Sequence, residues 1–218
     1  MDSFTPTPLS RIKRHPERAA YDRDAVYAIL DAGLVCHVGY VLGDQPLVTP
    51  TIHWREGDTL YWHGSAASRM LETLAAGVKA CVTVTIVDGL VLARSAFTHS
   101  MNYRSAMVLG TAKLVEGREA KLAALEYLIE RLYPGRWATL RPPLDREIRA
   151  TSVIAMPIAE ASAKTGTGPP LDYDYDMGER AWAGVIPLTL VPGAPIADPR
   201  LDPEIALPEM LARYALPR

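Results

Sequence analysis

Residues 34–63 hold three strand-length runs separated by two short turns, and that succession constrains the fold more than anything else in the chain. Leu34–Leu42 runs to Gly43-Asp44-Gln45, Leu47–Trp54 follows, Arg55-Glu56-Gly57-Asp58 turns the chain again, and Thr59–His63 is the third run. Two hairpins in a row predict an antiparallel meander. Lys79–Val87 and Leu90–Ala93, on either side of an Asp88-Gly89 turn, are rich in β-branched residues. Ser105–Val115 and Thr151–Ala159 read as further strands. Helices are excursions. Asp22 or Asp24 caps one that runs through Leu30 and stops at Gly33, and Ser68–Ala76 is a second that ends at Gly77. Arg118–Leu132 spaces Leu122, Leu125, Leu128, Ile129 and Leu132 at a period of about 3.6 residues, and a short helix is expected at Asp145–Ala150. No βαβ alternation repeats, so the pattern predicts a mainly β antiparallel barrel and not a doubly wound sheet.

Beyond Ser162 the chain is dominated by Gly, Pro, Asp and Tyr, and Pro187, Pro192, Pro195, Pro199, Pro203 and Pro208 mark an extended arm. Such an arm needs a surface to lie against. The expectation is one domain over 1–218, with a barrel core at about 22–165 and the arm at about 166–218. The net charge of −2 supplies no general attraction to nucleic acid or to anionic lipid. No apolar run reaches the length that spans a bilayer. The first residues, Met-Asp-Ser-Phe-Thr-Pro-Thr-Pro, lack the pattern of a signal peptide, so a cytoplasmic location is expected. Cys36 and Cys81 sit in apolar runs without a CxxC or a Cys/His cluster and read as buried thiols.

Four clusters carry candidate chemistry. In Thr59–Leu71 a strand breaks at Gly64 and passes through Ser65 and Ser68 into a helix whose first turn holds Arg69. Unpaired helix N–H groups, hydroxyls and a guanidinium suit an anion, although helix capping alone also accounts for both serines. In Thr98-His-Ser-Met-Asn-Tyr-Arg-Ser105 the polar residues Asn102, Tyr103, Arg104 and Ser105 gather in what should be a short connection. A guanidinium fork there suits phosphate or a pyrimidine edge. Val48-Thr-Pro-Thr-Ile-His53 puts Pro50 inside a strand pattern, which marks an edge or bulge with backbone groups left for a planar heterocycle. Arg180-Ala-Trp-Ala-Gly-Val-Ile-Pro187 offers Trp182 beside small residues, either to lie on a flat ligand or to plug the arm into the body. Gly166-Thr-Gly168 is not a GxGxxG, and no P-loop, GxSxG, HExxH or metal-ligand spacing is present. His37 and His53 lie within strands and read as structural, whereas His63 ends a strand beside the anion turn.

In order along roughly residues 11–190, these elements resemble the FMN-binding split-barrel superfamily that includes pyridoxamine 5′-phosphate oxidase, in the branch of the 5-nitroimidazole-resistance proteins. The match is carried by Tyr21-Asp22-Arg23, Cys36-His37-Val38-Gly39, Pro50, His63-Gly64-Ser65 with Ser68-Arg69, and Val87-Asp88-Gly89-Leu90-Val91. It continues through Asn102-Tyr103-Arg104-Ser105 with Gly110, Ser162-Ala163-Lys164 and Trp182-Ala-Gly-Val-Ile-Pro187. The resemblance implies a six-stranded antiparallel split β-barrel with peripheral helices, forming a homodimer with FMN at the subunit interface. It places Ser65, Ser68 and Arg69 at the phosphate, with Met70 where the oxidases carry a lysine and Arg104 as its replacement. It puts Thr49, Pro50, Thr51 and Ile52 at the pyrimidine edge. His63, Gly64, Asn102, Tyr103, Ser105, Lys164 and Trp182 complete the cofactor-binding set, and His63 is the catalytic candidate. The oxidases' arginine-and-histidine signature for pyridoxal phosphate has no counterpart.

The reading that follows is an FMN-dependent oxidoreductase. A reduced nicotinamide or another donor would supply electrons to a small flat acceptor of nitroaromatic or quinone type, with no nucleic acid, membrane or metal involved. The alternatives are a non-catalytic FMN carrier or sensor and, less favoured, a haem-binding split barrel with His63 or His99 on the iron.

Overall fold

The computed structural model of the chain describes residues 2–216; Met1, Pro217 and Arg218, at the two ends of the expected domain, lie outside them. The meander forms as expected: β2 (Val35–Leu42), β3 (Gln45–Glu56) and β4 (Thr59–Ser65) are antiparallel neighbours. Their turns rest on Gly43 and Gly57, whose φ values of 65° and 55° are left-handed and cost glycine little. Around them lie β1 (Ala19–Ala20), β5 (Lys79–Leu92), β6 (Ser100–Thr111), β7 (Lys113–Leu114), β8 (Thr151–Pro157), β9 (Glu160–Gly166) and β10 (Gly184–Pro187). All pairings are antiparallel, in the order β1-β9-β6-β5-β2-β3-β4-β8-β7, with β10 added alongside β5. The ends β1 and β7 do not pair with each other, so the sheet curls without closing: this is a split barrel.

The expected count of six strands is too low. Asp88-Gly89 is a bulge and not a turn: the register steps from Val87↔Tyr103 to Gly89↔Asn102 and β5 runs on as one strand. β6 begins at Ser100, so Asn102–Ser105 is strand and not connecting loop. β9 has the sequence Glu-Ala-Ser-Ala-Lys-Thr-Gly, small residues of weak β preference that are nonetheless buried and paired to β6. β10 comes from the arm, its strand character supplied by pairing with β5.

The split itself lies within β3. Gln45–Ile52 pairs with β2, whereas His53–Glu56 pairs with β4. Residues 45–52 therefore have a strand on one side only.

Helix α1 (Arg23–Ala32) starts where Asp22 accepts the Ala25 N–H at 2.8 Å, and it buries Val26, Ile29 and Leu30. With α2 (Arg69–Ala75) it closes the main core around Val38, Trp62, Val82, Val84 and Ile154. Burying one such aliphatic side chain stabilises the fold by roughly 1.5–3 kcal/mol. α3 (Arg118–Leu132) covers the opposite face, packing Ala124, Leu128 and Leu132 on Trp54 and Val153. α4 (Asp145–Ala150) leads into β8, and α5 (Glu209–Ala212) lies near the end of the arm. Cys36 is buried, which pushes its thiol up to about 12, and neither cysteine is in a disulfide. Among the described residues no helix is long and apolar enough to cross a membrane, and no three His, Cys, Asp or Glu side chains gather as a metal site.

Candidate functional site

β3 and β4 pair only as far as His53↔Trp62, and from that last pair residues 45–52 of β3 and the His63–Ser65 end of β4 run on, one along β2 and the other along β8. Val48 and Pro50 are exposed on that stretch of β3, while Thr49, Thr51 and Ile52 are half-buried. Pro50 stands opposite His37 of β2, and having no N–H it leaves a gap in the row of edge donors. At the turn, the Ser68 N–H donates to the Ser65 carbonyl at 2.9 Å and the Ala67 N–H to Ser65 Oγ at 3.3 Å. Ser68 occupies the N-cap of α2, but its hydroxyl makes no cap hydrogen bond. Capping thus does not account for its side chain. Arg69 is exposed and, among the described residues, has no carboxylate within ion-pair distance. Met70 points the other way, 6% exposed in the main core, so only its backbone faces the turn.

Strand alternation puts Tyr61, His63 and Ser65 on one face of β4 and Leu60, Trp62 and Gly64 on the other. Gly64 lies against α2, where a Cβ would meet Leu71 Cδ1 at 3.1 Å. On the His63 face, Trp54 stacks on Tyr61 with ring centroids 5.5 Å apart, and the His63 ring is tilted against Trp54 at 6.0 Å. His63 Nδ1 is buried without a hydrogen-bond partner. Burial pushes its pKa down, so the imidazole is neutral at pH 7 and offers a lone pair. His53 is more deeply buried, and its Nε2–H donates to the Leu30 carbonyl at 2.9 Å, as befits a structural histidine.

The Asn102–Ser105 cluster lies on β6, separated from β4 by β5, β2 and β3. Its polar groups are largely engaged within the chain. Arg104 donates from Nε and Nη2 to both carboxylate oxygens of Asp88, at 2.9 and 2.8 Å, across the bulge. Asn102 Nδ2 donates to the Gly168 carbonyl at 3.1 Å, Ser105 Oγ to the Lys164 carbonyl at 3.3 Å, and Lys164 Nζ to the Arg14 carbonyl at 3.0 Å. The Tyr103 ring lies on Gly166. Arg104 is thus held by a carboxylate and is not an unpaired cation in place of the lysine absent at Met70. Trp182 lays its ring over its own Gly184, where a Cβ would come within 2.8 Å, and stays 65% exposed.

One group of residues the sequence reading did not single out is Arg14, His15 and Arg18. They line a cleft of about 250 Å³ with Phe97, His99 and Asn102. The signal was present as the basic run Arg11-Ile-Lys-Arg-His-Pro-Glu-Arg18, but nothing local placed it beside β6 and β9.

Residues 22–165 match the family model described as pyridoxamine 5'-phosphate oxidase. The chain belongs to the pyridoxamine 5'-phosphate oxidase family. Among solved structures, it is similar to the flavocytochrome Anf3 from Azotobacter vinelandii at 44% identity and a TM-score of 0.92, over 98% of this chain and 99% of that one. It is similar to an FAD and heme binding protein from Mycobacterium smegmatis at 36% identity and TM-score 0.87, over 92% and 100% of the two chains. A 5-nitroimidazole antibiotic resistance protein from Bacteroides thetaiotaomicron, described as putative, aligns at 25% identity and TM-score 0.56, over 67% and 85%. No curated protein matches the sequence. This member of the pyridoxamine 5'-phosphate oxidase family is thus more similar to the two haem-associated proteins than to the nitroimidazole-resistance protein.

Proposed function

We propose that this protein is a two-cofactor redox protein that holds a flavin mononucleotide unit at the β3 edge and a haem beside it. The observation that carries the proposal is the similarity, over 98% of the chain, to a flavocytochrome. Fold similarity alone would not choose a function, but this extent and identity cover the site elements as well.

The residues present fit a flavin. Arg69 lacks a carboxylate partner, the Ser68 hydroxyl is unused by its helix, and residues 45–52 leave one side of a strand unpaired. Arg69 and the two serines would hold the phosphate, and Thr49–Ile52 would meet the pyrimidine edge with backbone groups. The donor set also fits an iron. His63 buries Nδ1, and among the described residues its Nε2 makes no hydrogen bond, which leaves that nitrogen for an iron; His99 turns Nδ1 to the Ser95 carbonyl at 2.9 Å, which makes that nitrogen the donor and leaves Nε2 as a lone pair. A bound flavin supplies acceptance of electron pairs and release of single electrons, and a haem takes those singly.

The two halves of the site lie apart within one chain: Ser65–Arg69 and β3 on one side, Asn102–Ser105 and Trp182 across β5 and β2. A homodimer brings one half from each subunit together. Apolar arm residues left exposed, among them Leu190 at 72%, Val191 at 69% and Ile196 at 96%, give a second copy a surface to cover.

Electrons would enter from a reduced nicotinamide and leave to a small flat acceptor, a quinone or nitroaromatic. Mixing the oxidised protein with NADH or NADPH in stopped flow tests this. Bleaching of flavin bands faster than for free flavin, followed by a shift of the haem Soret band, is the expected sequence. Flavin bands that do not bleach would leave a carrier or sensor.

A further inference from the structure

Two exposed segments of opposite charge lie side by side on this chain and do not pair with each other. We infer that they pair between two copies: the acidic loop 172–179 of each subunit seats on the basic segment 11–18 of the other, across a two-fold axis. This deepens the homodimer reading, on which it rests, by naming a surface through which the subunits meet.

The charges are unmatched within the chain. Residues 11–18 carry Arg11, Lys13, Arg14 and Arg18 against one acid, Glu17. Among the described residues Arg11, Lys13 and Arg14 have no carboxylate within ion-pair distance, and Glu17 contacts His15 at 3.0 Å but Arg18 only at 3.9 Å. Residues 172–179 carry Asp172, Asp174, Asp176 and Glu179 and no base. Arg94 engages Asp172 at 2.8 Å; the other three acids have no ion pair among the described residues. Leu171, next to the loop, lines the same cleft as Arg14 and Arg18, so the two segments adjoin.

That adjacency selects the partner. A half turn about an axis between two patches of opposite sign brings each onto its opposite, which is the condition for an isologous contact. A partner of uniform charge would be drawn to one patch and repelled by the other.

The apolar groups agree. Tyr173, Tyr175 and Met177 alternate with the acids and are exposed, Tyr175 at 79%, and the two tyrosine rings stack at 5.2 Å. At the rim of the cleft Phe97 is 98% exposed, a ring for the partner's tyrosines to cover. Aromatic anchors inside a charged rim are the usual make-up of a protein interface.

Both segments are ordered before they meet. Asp172 accepts from the Arg94 N–H, Arg94 Nη1 and Thr98 Oγ1 at 2.9, 2.8 and 3.1 Å, and its side chain is 2% exposed. The Asp176 N–H donates to the Tyr173 carbonyl at 2.9 Å and the Glu179 N–H to the Asp176 carbonyl at 3.0 Å. On the basic side, Lys164 Nζ holds the Arg14 carbonyl at 3.0 Å and the Arg18 N–H the His15 carbonyl at 3.1 Å. Little freedom is left to lose on docking. The docked loop would also roof the cleft that His99 and Asn102 line, so each subunit completes that part of the other's site.

Association of the full chain is the test. Wild type, Arg14→Glu/Arg18→Glu and Asp174→Lys/Glu179→Lys are compared by sedimentation equilibrium, once circular dichroism has shown each to be folded. Either variant meets like charge at both contacts, so its dimer should dissociate about tenfold more readily than wild type, or more. An equal mixture of the two should dimerise again, because every contact in the mixed pair joins opposite charges, and native mass spectrometry should show that mixed pair. Variant dimers as tight as wild type would overturn the inference and leave the homodimer to other surfaces. Weakened dimers that mixing does not restore would overturn it as well. A wild type that stays monomeric at micromolar concentration would overturn it together with the homodimer, and polyglutamate bound through Arg14 and Arg18 would then give the basic segment to an acidic partner of another kind. Flavin identified after denaturation tests the cofactor reading separately.

Discussion

Arg104 grips both oxygens of Asp88, at 2.8 and 2.9 Å, and the residue it grips is the one extra residue of the β5 bulge. The same Asp88 accepts the Leu188 N–H on its carbonyl at 3.0 Å, so strand, bulge and arm meet at one point. The pair is part-exposed, at 39% and 33% of the two side chains, which limits its worth to less than about 1 kcal/mol. Arg104→Ala should therefore lower stability only slightly in urea unfolding. It should also leave affinity for the flavin phosphate within about threefold of wild type, since the guanidinium is already committed. A loss tenfold or larger would put Arg104 back on the phosphate.

Arg69 is the contrasting case, exposed and without a carboxylate partner among the described residues. Arg69→Ala should weaken flavin binding by about 1.5–3 kcal/mol, the worth of a hydrogen bond to a charged group, with unfolding midpoints unchanged. Titration of flavin-free protein, followed by quenching of flavin fluorescence, reads this directly.

The pH dependence of stability follows from His53 and His63. Desolvation by burial holds both below their ordinary value of 6.5 in the folded chain. Below about pH 6.5 the unfolded chain therefore binds more protons than the folded one, and stability falls as pH is lowered through that window. For His53 the slope is at most about 1.4 kcal/mol per pH unit. Urea midpoints should drop between pH 7.5 and 5.5, and His53→Gln should flatten the drop while losing some stability at pH 7.5. A midpoint that rises on acidification would contradict the burial of these rings.

Removal of residues 194–218 separates the roles of the arm. β10 and its pairing with β5 remain in such a truncation, so the barrel should stay folded by circular dichroism. Light scattering should show the proposed homodimer loosened or lost if the exposed arm clasps a second copy. An unchanged dimer mass would assign the interface to the barrel alone.

The meander and α3 were legible because their signals are local: hairpin turns in the one case, leucines at helical spacing in the other. β9 was illegible because Ala161, Ser162 and Ala163 are small residues whose burial comes from neighbours far along the chain. The Asp88-Gly89 pair looks the same in sequence whether it turns the chain or bulges a strand; the long partner strand β6 decides it. The Ser65–Arg69 turn could be read because strand, breaker and helix are contiguous. The cationic cleft could not, since Arg14, Asn102 and Thr167 meet only through tertiary pairing. Haem is not legible in the sequence, because histidines alone do not mark a porphyrin site; the full-length similarity to a flavocytochrome is what points to one.

This chain is proposed to carry a flavin and a haem together. The visible spectrum of freshly purified protein, followed by denaturation and identification of each released chromophore, tests it most directly. The expected result is flavin absorption together with a Soret band, the latter lost in His63→Ala or in His99→Ala according to which imidazole holds the iron. A colourless protein that takes up neither added flavin nor added haem would contradict it.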